Sequence, residues 1–281
     1  MTSTSSALDL DWLSVCRSAV AGLERVLSDA PSTVERARET GARGCGGDRT
    51  LEIDRDAEEV VLGELAALHH QGHRFLAFSE ERGAIDYGDP GVRVIIDPID
   101  GSLNAKRGIP HHALSIAVAS GATMADVEFA FVYDFGPAEE FWAQRGRGSW
   151  QGEERLERDL RERRSHDGRL EVVGIESADP RWLKGAIDRL VPCAYRLRAF
   201  GSIAAALCQV AAGRFDGMLS LRRSRGVDSA AGQLIVREAG GCVSFPGCGE
   251  PLAAPLDAEP RAPVVAARSP QALRELEAVP W

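Results

Sequence analysis

Residues 97–104 read Asp97-Pro98-Ile99-Asp100-Gly101-Ser102-Leu103-Asn104 and follow directly on the short apolar run 92–96. An apolar run of that length predicts a buried strand, and the end of such a strand is where a rigid scaffold displays functional groups. Two carboxylates three residues apart, with Pro98 stiffening the backbone between them, can face one cation together with the Ile99 carbonyl. Gly101 lets an anion approach the main chain. Gly101-Ser102 also predicts the start of a short helical turn, whose first N–H groups attract an anion. Taken alone, such a string is usually a turn with an Asp cap.

Other acids lie far away in sequence but in comparable settings. Asp54 stands at the start of a helical pattern over 54–69, Glu80-Glu81 follow the apolar run 75–78, and Asp228 precedes Ser229-Ala230-Ala231-Gly232. Singly these read as a solvated helix residue, a charged loop and a helix N-cap. Together they describe carboxylates that would repel one another at strand ends unless a cation sits between them. Hard oxygen ligands select Mg²⁺, Mn²⁺ or Ca²⁺. A cation cluster beside an anion cradle suits metal-assisted phosphate-ester hydrolysis.

Around this centre the pattern alternates. An amphipathic helix is predicted over 10–27, then a Gly-rich loop over 41–47. Strands are predicted at 113–119, 127–133 and 140–143. The nearly all-charged stretch 153–169 reads as a junction or as a solvated surface helix. Beyond it come a strand at 170–175, helices at 181–190 and 202–212 with Gly213 as the stop, a strand at 218–221 and a helix at 229–239. Such alternation indicates a layered α/β or α+β domain. We expect an N-terminal half, 1–152, carrying most metal ligands, and a C-terminal half, 170–281, supplying Asp228 and the substrate pocket.

Four segments are similar to the inositol monophosphatase and fructose-1,6-bisphosphatase superfamily of Mg²⁺-dependent, Li⁺-sensitive phosphatases. Asp48 to Glu58 fits D-x-x-T-x-x-D-x-x-A-E, and Ser79-Glu80-Glu81 stands where the family has G-E-E. Asp97 to Asn104 fits D-P-I-D-G-[TS]-x-N. Val227 to Gly241 fits W-D-x-A-A-G-x-x-I-x-x-E-A-G-G, with Val227 in place of the Trp. The resemblance implies a layered αβαβα sandwich with the active site between two halves. It implies a phosphomonoesterase working by metal-activated water, with two or three Mg²⁺ ions for which Mn²⁺ can substitute. Glu80, Asp97 and the Ile99 carbonyl would hold the first ion, and Asp97, Asp100 and Asp228 the second. A third, weaker ion is expected near Glu80. Asp54 and the Ser102 hydroxyl would orient the water and take its proton. Gly101, Ser102 and Asn104 would lie against the substrate.

The substrate is less legible. Arg198-Ala199-Phe200-Gly201-Ser202 resembles the family's R-x-x-G-[ST] element, which places Arg198 and Ser202 at the substrate pocket. Leu221 stands where inositol monophosphatases carry a hydroxyl-binding Glu, and Arg222, Arg223 and Arg225 follow. Guanidinium groups there suit a second phosphate or a carboxylate, or form a solvated loop. A sugar or cyclitol monophosphate is the first expectation; fructose-1,6-bisphosphate and a 3′-phosphonucleotide are alternatives. A metal-binding scaffold without turnover is the competing class. The pairs His69-His70 and His111-His112 are expected to be structural. A net charge of −9 on 281 residues argues against a nucleic-acid polymer as partner. No apolar run reaches the length of a membrane span and no signal peptide is evident, so we expect a cytoplasmic protein. Six cysteines without a C-x-x-C pair fit free thiols. Family habit implies a homo-oligomer, most simply a dimer.

Overall fold

The computed structural model describes residues 6–43 and 49–279; Gly44, Cys45, Gly46, Gly47 and Asp48, part of the Gly-rich loop and of the first motif, lie outside the described residues. Helix α1 (Trp12–Asp29) starts at Asp11, whose carboxylate accepts from the Ser14 N–H. It buries Trp12, Cys16, Ala19, Val20, Leu23 and Leu27 on one face, the spacing of an amphipathic helix. A single turn, α2 (Thr33–Arg36), and a ribbon of β1 (Glu39–Arg43) with β2 (Arg49–Leu51) lead to α3 (Glu52–His70), which packs along α1.

Eight strands follow in one sheet: β3 (Leu76–Ser79), β4 (Gly83–Asp86), β5 (Arg93–Asp100), β6 (Ala113–Ala119), β7 (Val127–Asp134), β8 (Glu139–Gln144), β9 (Gly148–Gln151) and β10 (Glu154–Arg155). The short helix α4 (Ser102–Arg107) interrupts the run between β5 and β6. Sheet order is β10-β9-β8-β7-β6-β5-β3-β4, antiparallel except for the parallel pair β3–β5. All seven residues of β6 are buried, because both faces of the sheet are covered. That is why the strand reads as a continuous apolar run rather than an alternating one.

The chain crosses to a second sheet through 156–169, which forms neither the helix nor any regular strand and is tied down by Arg164 to Glu162 and Glu275. The second sheet contains β11 (Leu170–Glu176), β12 (Ala194–Arg198), β13 (Gly217–Ser220), β14 (Cys242–Ser244) and β15 (Val265–Ala267), in the order β12-β11-β13-β15-β14. Helices α5 (Pro180–Leu190) and α8 (Pro270–Glu277) bury Ala186, Leu190, Ala272 and Leu276 on its outer side.

Between the sheets lie α6 (Ile203–Ala211) and α7 (Gly226–Glu238). Every residue of α6 is buried. Leu207 and Leu234 share one core with Ala117 and Phe141 of the first sheet and Met218 and Ala266 of the second. On the far side of the first sheet, α1 and α3 share a second core with Ile96, Leu114 and Ile116. The layers are therefore αβαβα. The N- and C-terminal stretches pack against each other, with α7 in contact with β5–β8 as well as with β14. Five described cysteines are free thiols, with Cys16, Cys193 and Cys208 buried. No described helix is long and apolar enough to cross a membrane.

The middle layer depends on close helix contact. A Cβ on Gly232 would stand 2.6 Å from Leu207 Cδ1 and 2.7 Å from its Cβ. Gly232→Val should therefore wedge α6 from α7 and lower unfolding stability by about 1–3 kcal/mol, the usual range for overpacking. Urea denaturation checks this, and an unchanged midpoint would contradict the packing argument.

Candidate active site and metal centre

The first sheet does more than hold Asp97 and Asp100; it bends to bring them together. Opposite β5, Asp97 pairs with Ser115 and Asp100 with Ala113, so three steps on β5 face two on β6. On a regular strand, residues three apart point to opposite faces. One extra residue in a β-bulge restores them to the same face, and Pro98, which has no N–H to give the ladder, sits in the irregular step. The Ile99 N–H turns back to Asp97 Oδ1 at 3.0 Å. Gly101 then takes φ +91°, and a Cβ there would meet the Gly201 carbonyl at 2.9 Å. Only glycine satisfies both demands.

Asp228 arrives from α7. It is the third residue of that helix and not its N-cap; Arg225 holds the cap position, and its N–H donates to Asp228 Oδ2 at 3.0 Å. Glu80 follows β3, and its carboxylate makes a close ion pair with the Arg225 guanidinium. Asp54 sits in the first turn of α3 with Oδ1 buried and without a hydrogen-bond partner. Burial, then Glu81, pushes the Asp54 carboxyl up to about 6, against the Leu51 backbone and the Ser102 hydroxyl. That hydroxyl donates to the Ile99 carbonyl at 3.0 Å.

Asp97, Asp100, Asp228 and Glu80 line one pocket of about 930 Å³. Burial, then Asp100 and Asp228, raises the Asp97 carboxyl well above the usual range. Asp100 is raised by burial and Asp228, and Asp228 by burial. Behind Asp97 a cleft of about 10 Å³ lies among Asp54, Glu80, Glu81, Asp97, Pro98, Ile99 and Ser102. That is about the room one water needs.

These donors fit a hard divalent cation. All are oxygens, three carboxylates destabilise each other's charge, and one buried carboxylate oxygen has no partner. They share the pocket without closing on one point: among the described residues no three His, Cys, Asp or Glu side chains are drawn in as a ligand set. The side chains have other partners. Glu80 is turned to Arg225, and Asp100 Oδ2 accepts from Ser202 Oγ at 2.7 Å and from Ala204 N–H at 2.6 Å.

The remaining expected residues divide. Gly101, Ser102, Leu221 and Arg222 line the large pocket. Asn104, Arg198 and Ser202 are not among its lining residues. The Asn104 amide is occupied by backbone, donating to Phe200 O at 2.5 Å and His111 O at 2.9 Å. Ser202 is buried as the N-cap of α6, and exposed Arg198 donates to the Leu197 carbonyl. His111 pairs with Asp134 at 2.8 Å and stacks on Phe200, a supporting role.

Sequence reasoning missed Trp182, Ser177 and Glu176. Trp182 lines the pocket with the Arg222 guanidinium 5.4 Å from its ring centroid. Ser177, also in the wall, has φ +55°, a strained value for a non-glycine residue. Glu176, 1% exposed, accepts from Phe200 N–H at 2.9 Å and Gly201 N–H at 2.8 Å. For Glu176 the available signal was an acid closing the uncharged run 172–175.

The sequence matches the inositol monophosphatase family over residues 13–279. The chain belongs to that family. A relative, the fructose-1,6-bisphosphatase/inositol-1-monophosphatase of Methanothermobacter thermautotrophicus, is 31% identical over 83% of this chain and 84% of its own length. The Nus factor SuhB of Escherichia coli is 35% identical over 77% of each chain. A crystal structure of the extragenic suppressor protein SuhB from Bartonella henselae superposes with TM-score 0.77 at 26% identity, covering 96% of this chain and 99% of that one. A crystal structure of an inositol monophosphatase–fructose 1,6-bisphosphatase reaches TM-score 0.80 over 96% and 100% at 23% identity, a likeness of fold. The family is metal-dependent, and the chain is a phosphoric monoester hydrolase by membership.

Glu176 provides a test of how the site is held. Burial pushes its carboxyl up to about 7 from an ordinary 4.5, against the pull of the Phe200, Gly201 and Ser202 N–H groups. A raised native pKa means that the proton favours the folded state. This contribution is full below about pH 4.5 and lost as pH rises through about 7. Thermal unfolding of wild type and Glu176→Gln at about pH 5 and about pH 8 should show the wild type losing ground to the variant as pH rises. A gap that does not change with pH would contradict the assignment.

Proposed function

We propose that this chain is a Mg²⁺-dependent phosphomonoesterase acting in the cytoplasm, as a homodimer, on a small sugar or cyclitol phosphate. The observation that carries the reading is one pocket lined both by the acids Glu80, Asp97, Asp100 and Asp228 and by Arg222 and Arg223. Its volume of about 930 Å³ suits a phosphorylated ring.

Glu80, Asp97 and the Ile99 carbonyl would hold one Mg²⁺, and Asp97, Asp100 and Asp228 another. Bound there, the ions supply positive charge to the phosphoryl oxygens and acidify a water. The rest falls to the protein. The cleft beside Asp54, about 10 Å³, has about the room of one water. Asp54, at about 6, is mainly ionised at neutral pH and near the optimum for accepting a proton. As the water oxygen bonds to phosphorus and the ester P–O bond breaks, the water's proton passes to Asp54, and the departing alcohol oxygen keeps the P–O electron pair and takes a proton from solvent. Ser102 holds the turn by its bond to Ile99 O, leaving the Gly101 and Ser102 N–H groups to face phosphate oxygens.

Arg222 and Arg223 favour a second reading within the class, a substrate with two anionic groups such as fructose-1,6-bisphosphate. Leu221, which cannot hydrogen-bond a ring hydroxyl, weighs against inositol 1-phosphate. The name Nus factor SuhB on one relative keeps a non-catalytic role in view, but the complete acid set supports turnover.

A panel of sugar phosphates, inositol 1-phosphate, fructose-1,6-bisphosphate and a 3′-phosphonucleotide should give phosphate release only with Mg²⁺ or Mn²⁺. Asp97→Asn should lower it by roughly a hundredfold or more. The same variant should raise the thermal stability of the metal-free protein, because one of three mutually repelling buried acids is gone. No turnover on the panel, or an active Asp97→Asn enzyme, would overturn the proposal.

A further inference from the structure

Arg225 differs from its two neighbouring arginines in its partner. It stands one residue before α7, lines the catalytic pocket, and places its guanidinium on Glu80, a carboxylate read above as a ligand of the first Mg²⁺. Both side chains are well shielded, 17% and 22% exposed, so the attraction is less screened than at an open surface. The same guanidinium also eases the charge on Asp228, the acid assigned to the second ion. The other two arginines of the pocket wall are placed differently: Arg222 lies over Trp182, and Arg223 is exposed.

We propose that Arg225 is a built-in cation of the acidic site that competes with a divalent metal for Glu80. A charge already on Glu80 must leave before a metal can take that carboxylate, because two cations would otherwise share one ligand at close range. The guanidinium released in this way remains in the wall of the pocket, where the arriving anion is a phosphate. Metal and phosphate binding are thereby coupled: the metal frees the arginine, and the arginine takes up the phosphate. The exchange needs no rearrangement of the main chain, because Arg225 caps α7 through its own N–H, donated to Asp228, and its own carbonyl, which accepts from Ser229 Oγ. Substitution of the side chain leaves these bonds in place.

The inference rests on Glu80 being a metal ligand, so the experiment tests the two separately. Mn²⁺ binding to the full chain without substrate is followed by the electron paramagnetic resonance signal of free Mn²⁺. Glu80→Gln should weaken binding; if it does not, the ligand reading fails and takes the proposal with it. Arg225→Gln should tighten binding about fivefold or more, within the usual range of coupling between sites. Arg225→Lys, which keeps the charge, should stay close to wild type. Arg223→Gln removes the same charge without touching Glu80 and should move the constant by less than about twofold. With Mn²⁺ present, inorganic phosphate should bind Arg225→Gln several-fold more weakly than wild type. If Glu80→Gln weakens Mn²⁺ binding while Arg225→Gln leaves it unchanged or weakens it, the exchange is wrong and the ligand assignment survives. Equal tightening in Arg223→Gln and Arg225→Gln would reduce the effect to a general field and overturn the contact-specific claim.

Discussion

Asp97, Asp100 and Asp228 line one pocket, and burial raises the carboxyl of each, with neighbouring acids adding to the effect at Asp97 and Asp100. Left alone, such a group of acids would push apart or take up protons. The surrounding structure is arranged to prevent the first. The bulge in β5 fixes the spacing of Asp97 and Asp100 through the main chain. The α7 backbone gives Asp228 an N–H, and the start of α6 gives Asp100 a hydroxyl and an N–H. The restraints come from two layers, the first sheet and the helices packed against it. The acids therefore stay together only while that sheet and the helix layer stay packed.

That dependence runs in both directions. The Asp100–Ser202 bond crosses from the first sheet to the helix layer, and Glu176 grips the same loop from the second sheet through Phe200 and Gly201. Asn104 takes the Phe200 carbonyl from a third side. The loop 199–202 is thus held by polar groups from both sheets at the place where it comes closest to Gly101. Residues that resemble substrate contacts in sequence act here as the frame that keeps the substrate site open. The stored repulsion is the expected trade of stability for function: a site ready for cations is strained before they arrive.

The substrate side follows a looser logic. Arg222, Arg223, Trp182 and the prolines Pro246, Pro260 and Pro263 reach the pocket from loops and from the start of α5. Such elements can change without disturbing the core. A common reaction with varied substrates is what this division of labour permits. Arg225 belongs to both sides, bound to an acid while lining the space for an anion.

Much of this was legible in the chain. The apolar runs at 92–96 and 113–119 are strands because nothing but a doubly covered sheet can hide them. The helical spacing at 10–27 is a helix because one face must be buried. The motif acids at 80, 97, 100 and 228 line one pocket, and those at 54, 80 and 97 line the small cleft beside it. What sequence could not decide is every relation that depends on contact between distant segments. The charged stretch 153–169 shows no sign in its pattern that it opens with the short strand β10 and is irregular from 156 onward; its contacts, among them Arg164 with Glu275, decide that. Asn104, Arg198 and Ser202 carry polar groups suited to a ligand, and only the approach of the Phe200 loop determines that Asn104 and Ser202 bind protein instead. Local order follows from hydrophobic period and backbone chemistry, which are written residue by residue. The partner of a polar side chain is set by whichever donor or acceptor the fold delivers within three ångströms, and that is a property of the tertiary structure alone.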